Sequence, residues 1–247
     1  MNKKRDLKEV ISNLKIAIFD IDGTLVNSIP RHIPTRKQFI NEMIKKDLLI
    51  NRNPDECYKI IEISLFNFWE KCVNKEKISC LETINKFGEM YLSQNIPTPP
   101  FKEVIETIKY LKEKEIFIGA VTSSFPAIVE NNNKILQKEW NKKGYKENIF
   151  DGEIMNDKAN NPNLPVKPSF EAYKLLINKI KPSLFGKPTF YMGDGRSDLE
   201  FAENIKKNKI DCPFIYIHSG NPKDEILSKA DFSFDSIESF FRAITRN

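Results

Sequence analysis

Histidine and cysteine are scarce in this chain: two histidines and four cysteines in 247 residues. Cys57, Cys72, Cys80 and Cys212 form no C-x-x-C pair and stand beside no histidine cluster. That spacing argues against a zinc site or a disulfide framework and fits a reducing cytosol. Long apolar runs are also missing. The longest are strand-sized, far short of the roughly 20 residues that span a bilayer. The start, Met1-Asn2-Lys3-Lys4-Arg5-Asp6, is charged and no apolar stretch follows it, so no cleaved signal peptide is expected. No internal repeat or low-complexity tract is present. A cytoplasmic location is the expectation.

What is present is the composition of a globular protein, 40% hydrophobic and 30% charged. A chain of this length is one large domain or a core carrying a smaller second one, and buries roughly 70–75% of its unfolded surface. The formal net charge is +5 and the pI about 8.8. The lysines, however, alternate with glutamates, as in Lys102-Glu103 and Lys112-Glu113-Lys114-Glu115. They read as solvated helix faces, because a nucleic-acid or membrane surface needs its charge gathered on one side. Neither partner is expected.

Short β-branched and aromatic runs stand out at Lys15 to Ile21, Ile116 to Ser123, Thr189 to Met192 and Pro213 to His218, with a weaker one at Ile149 to Met155. Their continuous apolar character predicts strands buried on both faces, the parallel-sheet situation. Between them Phe101, Val104, Ile105, Ile108 and Leu111 repeat at helical spacing, and Ala172, Leu175, Leu176 and Lys179 lie in another helical stretch. Strand alternating with helix predicts an open α/β sheet with right-handed crossovers. From Pro30 to Asn95 no good strand is found. Asn53-Pro54-Asp55-Glu56 reads as a helix start, and the following Ile60, Ile61, Leu65, Phe66, Phe68, Trp69 and Cys72 are apolar around most of a helix. This predicts a helical insert with its own small core over residues 29–96, returned by Pro97-Thr98-Pro99-Pro100 to a main domain of residues 1–28 and 97–247.

Ligands of open parallel sheets sit beyond the carboxyl ends of the strands. Four sequence features fall there. In Phe19-Asp20-Ile21-Asp22-Gly23-Thr24-Leu25 a strand runs into an acidic loop that Gly23 lets bend. One carboxylate can attack phosphorus while the other handles a proton. The strand Gly119-Ala120-Val121-Thr122-Ser123-Ser124 ends in hydroxyls, which suit phosphate oxygens and equally suit a helix cap. Val166-Lys167-Pro168 places a lysine before a helical stretch, with the proline in the first turn. Tyr191-Met192-Gly193-Asp194-Gly195-Arg196-Ser197-Asp198 follows a strand with two acids, oxygen donors of the kind a hard cation takes.

In this order, the four features resemble the haloacid dehalogenase-type hydrolase superfamily, in a phosphoglycolate phosphatase-like branch. The likeness runs from Lys15 to about Phe241. The family's D-x-D-G-T is matched by Asp20, Asp22, Gly23 and Thr24, its hydroxyl-ended strand by Thr122, its lysine by Lys167, and its G-D-x-x-x-D by Asp194 and Asp198. The resemblance implies a Rossmann-like core and makes the helical insert a cap that closes over the site. It also implies magnesium and an aspartyl-phosphate intermediate. The roles it implies are Asp20 as nucleophile and Asp22 as general acid and base, with Gly23, Thr122, Ser123 and Lys167 around the phosphate. Asp20, Asp22, Asp194 and Asp198 would surround Mg2+.

Departures from other branches narrow the reading. Dehalogenases and phosphonate hydrolases of this kind lack the acid at Asp22, and cation pumps carry a lysine where Ile21 stands. Gly193-Asp194-Gly195 lacks the third glycine of a dinucleotide fingerprint. A phosphatase acting on a small phosphorylated metabolite, as a monomer or homodimer, is the expectation; a phosphomutase or a non-catalytic phosphate-binding regulator is the alternative. Arg31, His32 and Arg36 follow the first motif, where the arginines can face the site, whereas His32 reads as a surface or satisfied position. Trp69 reads as core of the insert.

Overall fold

A computed structural model describes residues 5–63, 65–158, 160–161, 163–218 and 222–246. The charged start before Arg5 lies outside the described residues. Six strands form one sheet: β1 (Ile16–Phe19), β2 (Phe117–Val121), β3 (Gly152–Ile154), β4 (Thr189–Gly193), β5 (Phe214–Ile217) and β6 (Phe232–Phe234). All neighbours pair in parallel, in the order β3-β2-β1-β4-β5-β6. The five expected strands are present. The edge strand β6 adds to them, three residues whose half-exposed pattern leaves no continuous apolar run to read.

Helix α1 (Leu7–Asn13) precedes β1, and α2 (Ile29–Lys45), α3 (Pro54–Ile63), α4 (Leu65–Cys72) and α5 (Cys80–Ser93) follow it. Helix α6 (Val104–Glu113) leads into β2. The remaining helices, α7 (Pro126–Lys142), α8 (Phe170–Ile180), α9 (Arg196–Lys207), α10 (Asp224–Leu227) and α11 (Ile237–Thr245), follow β2 to β6 in turn. Alternation along the strands divides the core into two layers. Ala17, Phe19, Phe190 and Met192 pack with Ile108, Trp140 and Phe240 from α6, α7 and α11. Ile16, Ile18 and Tyr191 pack on the other face with Leu176 of α8 and Phe201 of α9.

Helices α2 to α5 enclose a third cluster in which Phe39 meets Phe68 and Phe87, with ring centroids 5.9 and 5.3 Å away. Asn53 caps α3, its Oδ1 accepting from the backbone N–H of Asp55 at 3.1 Å, and Ser79 and Glu82 form a reciprocal capping box on α5. Trp69 packs partly buried against this cluster. The cluster is not closed on itself: Phe125 and Ile128, at the start of α7, complete it. At the chain crossings the Asn27 amide donates to Pro99 O at 2.9 Å and the Phe101 amide to Leu25 O at 3.0 Å. The two ends of the insert are therefore tied together.

Leu176 lies over two strand glycines, and a Cβ on Gly119 or on Gly152 would press into α8 at Leu176 or Ile180. The helix thus sits close to the sheet because β2 and β3 lack side chains there. Leu176→Ala is expected to lower the unfolding free energy by about 2–5 kcal/mol in urea denaturation. Ile50→Ala, at a residue 65% exposed, should change it by less than about 0.5 kcal/mol.

Candidate active site

The register of the sheet builds the site. β1 and β4 are neighbours with Phe19 opposite Met192, and the Asp20 amide donates to Met192 O at 2.9 Å. Asp20 and Asp194 therefore leave adjacent strands side by side. Gly23 turns the chain at φ +81, and a Cβ there would overlap the Asp194 carboxylate. At Gly193 a Cβ would collide with the side chain of Asp198. Gly23 is required by both the turn and the close approach of an acid, Gly193 by the close approach alone.

Asp198 lies in the first turn of α9, where its Oδ2 accepts from the backbone N–H groups of Asp194 (3.1 Å) and Gly195 (2.8 Å). Its Oδ1 accepts from Lys167 Nζ at 2.6 Å and lies 2.9 Å from the Tyr191 hydroxyl. Lys167 Nζ also donates to Asp20 Oδ1 at 2.6 Å and to the Tyr191 hydroxyl at 3.0 Å. These groups are buried, with Lys167 7% and Asp198 2% exposed. Lys167 reaches the site from a segment ending in a cis Lys167–Pro168 bond. Helix α8 starts at Phe170 with Ser169 as its cap, so Pro168 lies before the helix and not in its first turn. Ser169 Oγ accepts from the Glu171 amide, a position a proline could not hold.

One oxygen from each of Asp20, Asp194 and Asp198 lies within 4.8 Å of the other two. Two buried carboxylates, Asp20 and Asp198, and the half-buried Asp194 gather around one lysine, an excess of negative charge. Burial pushes Asp20 well above the usual carboxylate range despite Lys167, with the charges of Asp198 and Asp194 adding to the rise. Burial and the Asp198 charge push Asp194 up to about 7. Lys167 is held above its ordinary value, because the attraction of Asp198 and Asp20 outweighs burial. Carboxylate oxygens crowded until their pKa values rise are a hard donor set that fits a divalent cation such as Mg2+. Asp198 already has a partner in each lone-pair direction, so Asp20 and Asp194 have the oxygens to spare.

Asp22 stands apart from this set. Its Oδ1 accepts from Asn132 Nδ2 of α7 at 2.9 Å and lies 3.4 Å from His32 Nε2 of α2, and its Oδ2 accepts from Ser124 Oγ. Burial alone would raise this carboxyl, yet the His32 and Ser124 contacts draw it down to about 2. Asp22 is ionised. Thr122 is buried at the end of β2, its Oγ1 accepting from the Ser124 amide at 3.1 Å. The Ser123 side chain is exposed; the hydroxyl facing an acid belongs to Ser124. Arg31 does not face the site with a free head: its guanidinium donates to Ile96 O and lies 5.1 Å over the Tyr91 ring.

Four participants were not singled out by the motifs. Tyr191 had one signal, a phenol in an otherwise apolar buried strand, whose hydroxyl must find a partner. Ser124 stood in the hydroxyl-ended string without being told from Ser123, and Asn132 and the inward placement of His32 had no signal, since only the packing of α2 and α7 on the β1 loop brings them to Asp22.

The model of the haloacid dehalogenase-like hydrolases matches residues 17–210, and the chain belongs to that family. A predicted phosphoglycolate phosphatase from Haemophilus somnus is 20% identical, with a TM-score of 0.62 over 95% of this chain and 99% of that one. A family IA, variant 3 hydrolase of the same type from Entamoeba histolytica is 17% identical, with a TM-score of 0.65 over 94% and 100%. A mutant CbbY from Rhodobacter sphaeroides, in complex with xylulose-(1,5)bisphosphate, is 14% identical, with a TM-score of 0.67 over 90% and 94%. At these identities the likeness is one of fold. No curated protein matches the sequence.

Lys167→Met would leave Asp20 and Asp198 buried without their counter-charge. A loss of about 3–5 kcal/mol is expected in urea unfolding without divalent cations. Tyr191→Phe, which removes one hydroxyl from the same cluster, should cost about 1–3 kcal/mol.

Proposed function

We propose that this chain is a magnesium-dependent phosphatase that hydrolyses a small phosphate monoester through an aspartyl-phosphate on Asp20. The observation carrying this reading is the convergence of Asp20, Asp194 and Asp198 on Lys167 at the carboxyl ends of β1 and β4. Phosphoryl transfer asks a protein mainly for positioning and for neutralisation of charge, and this cluster is organised for both.

In the proposed reaction Asp20 Oδ2 attacks phosphorus while Oδ1 stays fixed by Lys167. Mg2+ held by Asp20 and Asp194 would supply neutralising charge to the phosphoryl oxygens, with Asp198 fixing the site from behind; the Asp22 side chain, turned to Ser124, Asn132 and His32, stands outside that set. Thr122, the backbone N–H groups around Gly23 and Ser123, and Lys167 would receive the equatorial oxygens. Asp22, once protonated, gives its proton to the leaving alkoxide. Returned to its ionised form, it takes a proton from the water that opens the acyl-phosphate. Water attacks, the phosphorus–oxygen bond to Asp20 breaks, and phosphate leaves. The helical insert acts in this reading as a cap over residues 29–96, with the core in 1–28 and 97–247.

Asp20→Asn keeps size and removes the nucleophile, so turnover should disappear while the circular dichroism spectrum is unchanged. Acid quenching of the wild-type reaction with 32P-substrate should trap protein-bound label that Asp20→Asn never acquires; an equal label on both would refute the intermediate. Activity should also vanish in chelator and return with magnesium but scarcely with calcium, whose looser coordination misplaces Asp20 for attack. Full activity in chelator would remove the metal from the reading.

A further inference from the structure

We infer that Asn132 of α7 is a positioning residue for the proton transfers of Asp22, holding its Oδ1 so that Oδ2 is the oxygen that gives and takes the proton. The inference deepens the phosphatase reading and rests on it.

The pattern of α7 gives the first reason. Its buried residues are Ile128, Val129, Asn132, Leu136 and Trp140, an inward stripe at helical spacing. Asn132 is completely buried in this otherwise apolar stripe. An amide there is costly unless its polar atoms are satisfied. Asn132 Nδ2 donates to Asp22 Oδ1 at 2.9 Å, and its Oδ1 accepts from Asn131 Nδ2 at 3.3 Å. The next residue, Asn133, turns to a different partner and donates to Glu153 Oε2. An apolar side chain would serve the packing of α7 as well; only Asp22 calls for the amide.

The chemistry of the donors gives the second. An amide nitrogen only donates, whereas a hydroxyl both donates and accepts. A proton on Asp22 Oδ1 would face the Asn132 N–H, donor against donor. On Oδ2 it meets Ser124 Oγ, which can accept a hydrogen bond there after donating one to the ionised form. His32 Nε2 also approaches Oδ1, at 3.4 Å, but the Asn132 contact is the shorter. The two oxygens are therefore inequivalent. In the first step the proton on Oδ2 passes to the leaving oxygen as the bond from that oxygen to phosphorus breaks. In the second, Oδ2 takes a proton from the attacking water as the bond from Asp20 to phosphorus breaks. Asn132 touches neither the ester nor the water and acts only by fixing the plane of the Asp22 carboxyl.

The test compares 4-nitrophenyl, phenyl and benzyl phosphate, esters of similar size whose leaving oxygens need a proton to an increasing degree. In Asn132→Leu, kcat/KM should fall roughly 10- to 100-fold for benzyl phosphate and less than about threefold for 4-nitrophenyl phosphate. Acid quenching with 32P-labelled 4-nitrophenyl phosphate should trap more protein-bound label at steady state in the variant than in wild type, because the water step still needs Asp22. Asn132→Ala, which also lacks the donor but leaves more room, should show the same pattern. Asn133→Ala, one residue along the same helix, should show neither change. A purely structural role for Asn132 would lower stability in urea and slow the three esters alike. An equal fall for all three esters in both Asn132 variants, or no fall, overturns the positioning role while the phosphatase reading stands. If wild type with magnesium releases phosphate from none of the esters and takes up no label, the phosphatase reading is refuted and the positioning role falls with it.

Discussion

The buried ion pairs of Lys167 with Asp20 and Asp198 are the constraint on which the remaining structure depends. Each group comes from a different part of the chain: the end of β1, the first turn of α9, and the segment before α8. Any of them alone would be a costly buried charge. Together they are satisfied only if β1 and β4 are adjacent and in register and α8 and α9 are docked on the same face. Gly193 and Gly23 follow from this, because the cluster leaves no room for their side chains. Lysine neutralises one carboxylate of three, and the remaining negative charge is what disposes the site toward a divalent cation.

The two acids of the first loop end up in opposite electrostatic situations although one residue separates them. Asp20 points into the crowded cluster, and burial there disfavours its charge. Asp22 points toward donors from α2, α7 and the end of β2, which favour its charge. Environments that separate the behaviour of paired acids are what an acid–base partnership beside a nucleophile requires. Asp20 at the end of β1 meets Lys167, whereas two residues on, Asp22 meets Ser124, Asn132 and His32, so the two carboxylates face different walls.

The sheet was legible in the sequence because strands buried on both faces have to be apolar throughout; Ile16 to Phe19 and Phe214 to Ile217 advertise themselves. β6 was not, since an edge strand of three half-exposed residues needs no such run. Asp20, Lys167, Asp194 and Asp198 were legible as strand-end chemistry in a fixed order, and the structure brings them together. Asn132 was silent: in Asn131-Asn132-Asn133 nothing distinguishes the residue that meets Asp22 from its neighbours. Ser123 and Ser124 are likewise equivalent in the sequence, and the direction of the chain after β2 decides which hydroxyl faces inward. Pro168 shows the limit of local propensity. Proline suits a first helical turn, but the chain used Ser169 as cap and left the proline outside.

The insert connects to the chemistry through surprisingly few groups, and their division is informative. Phe125 and Ile128 bind it to the start of α7 by apolar contact, immediately after Ser124. Arg31 fixes α2 to the returning chain at Ile96, close to the crossing where Asn27 meets Pro99. His32 then reaches Asp22 from a helix whose start is anchored at both of these places. The first turns of α2 are thus determined by the core, while its later turns are surrounded by the insert's own cluster.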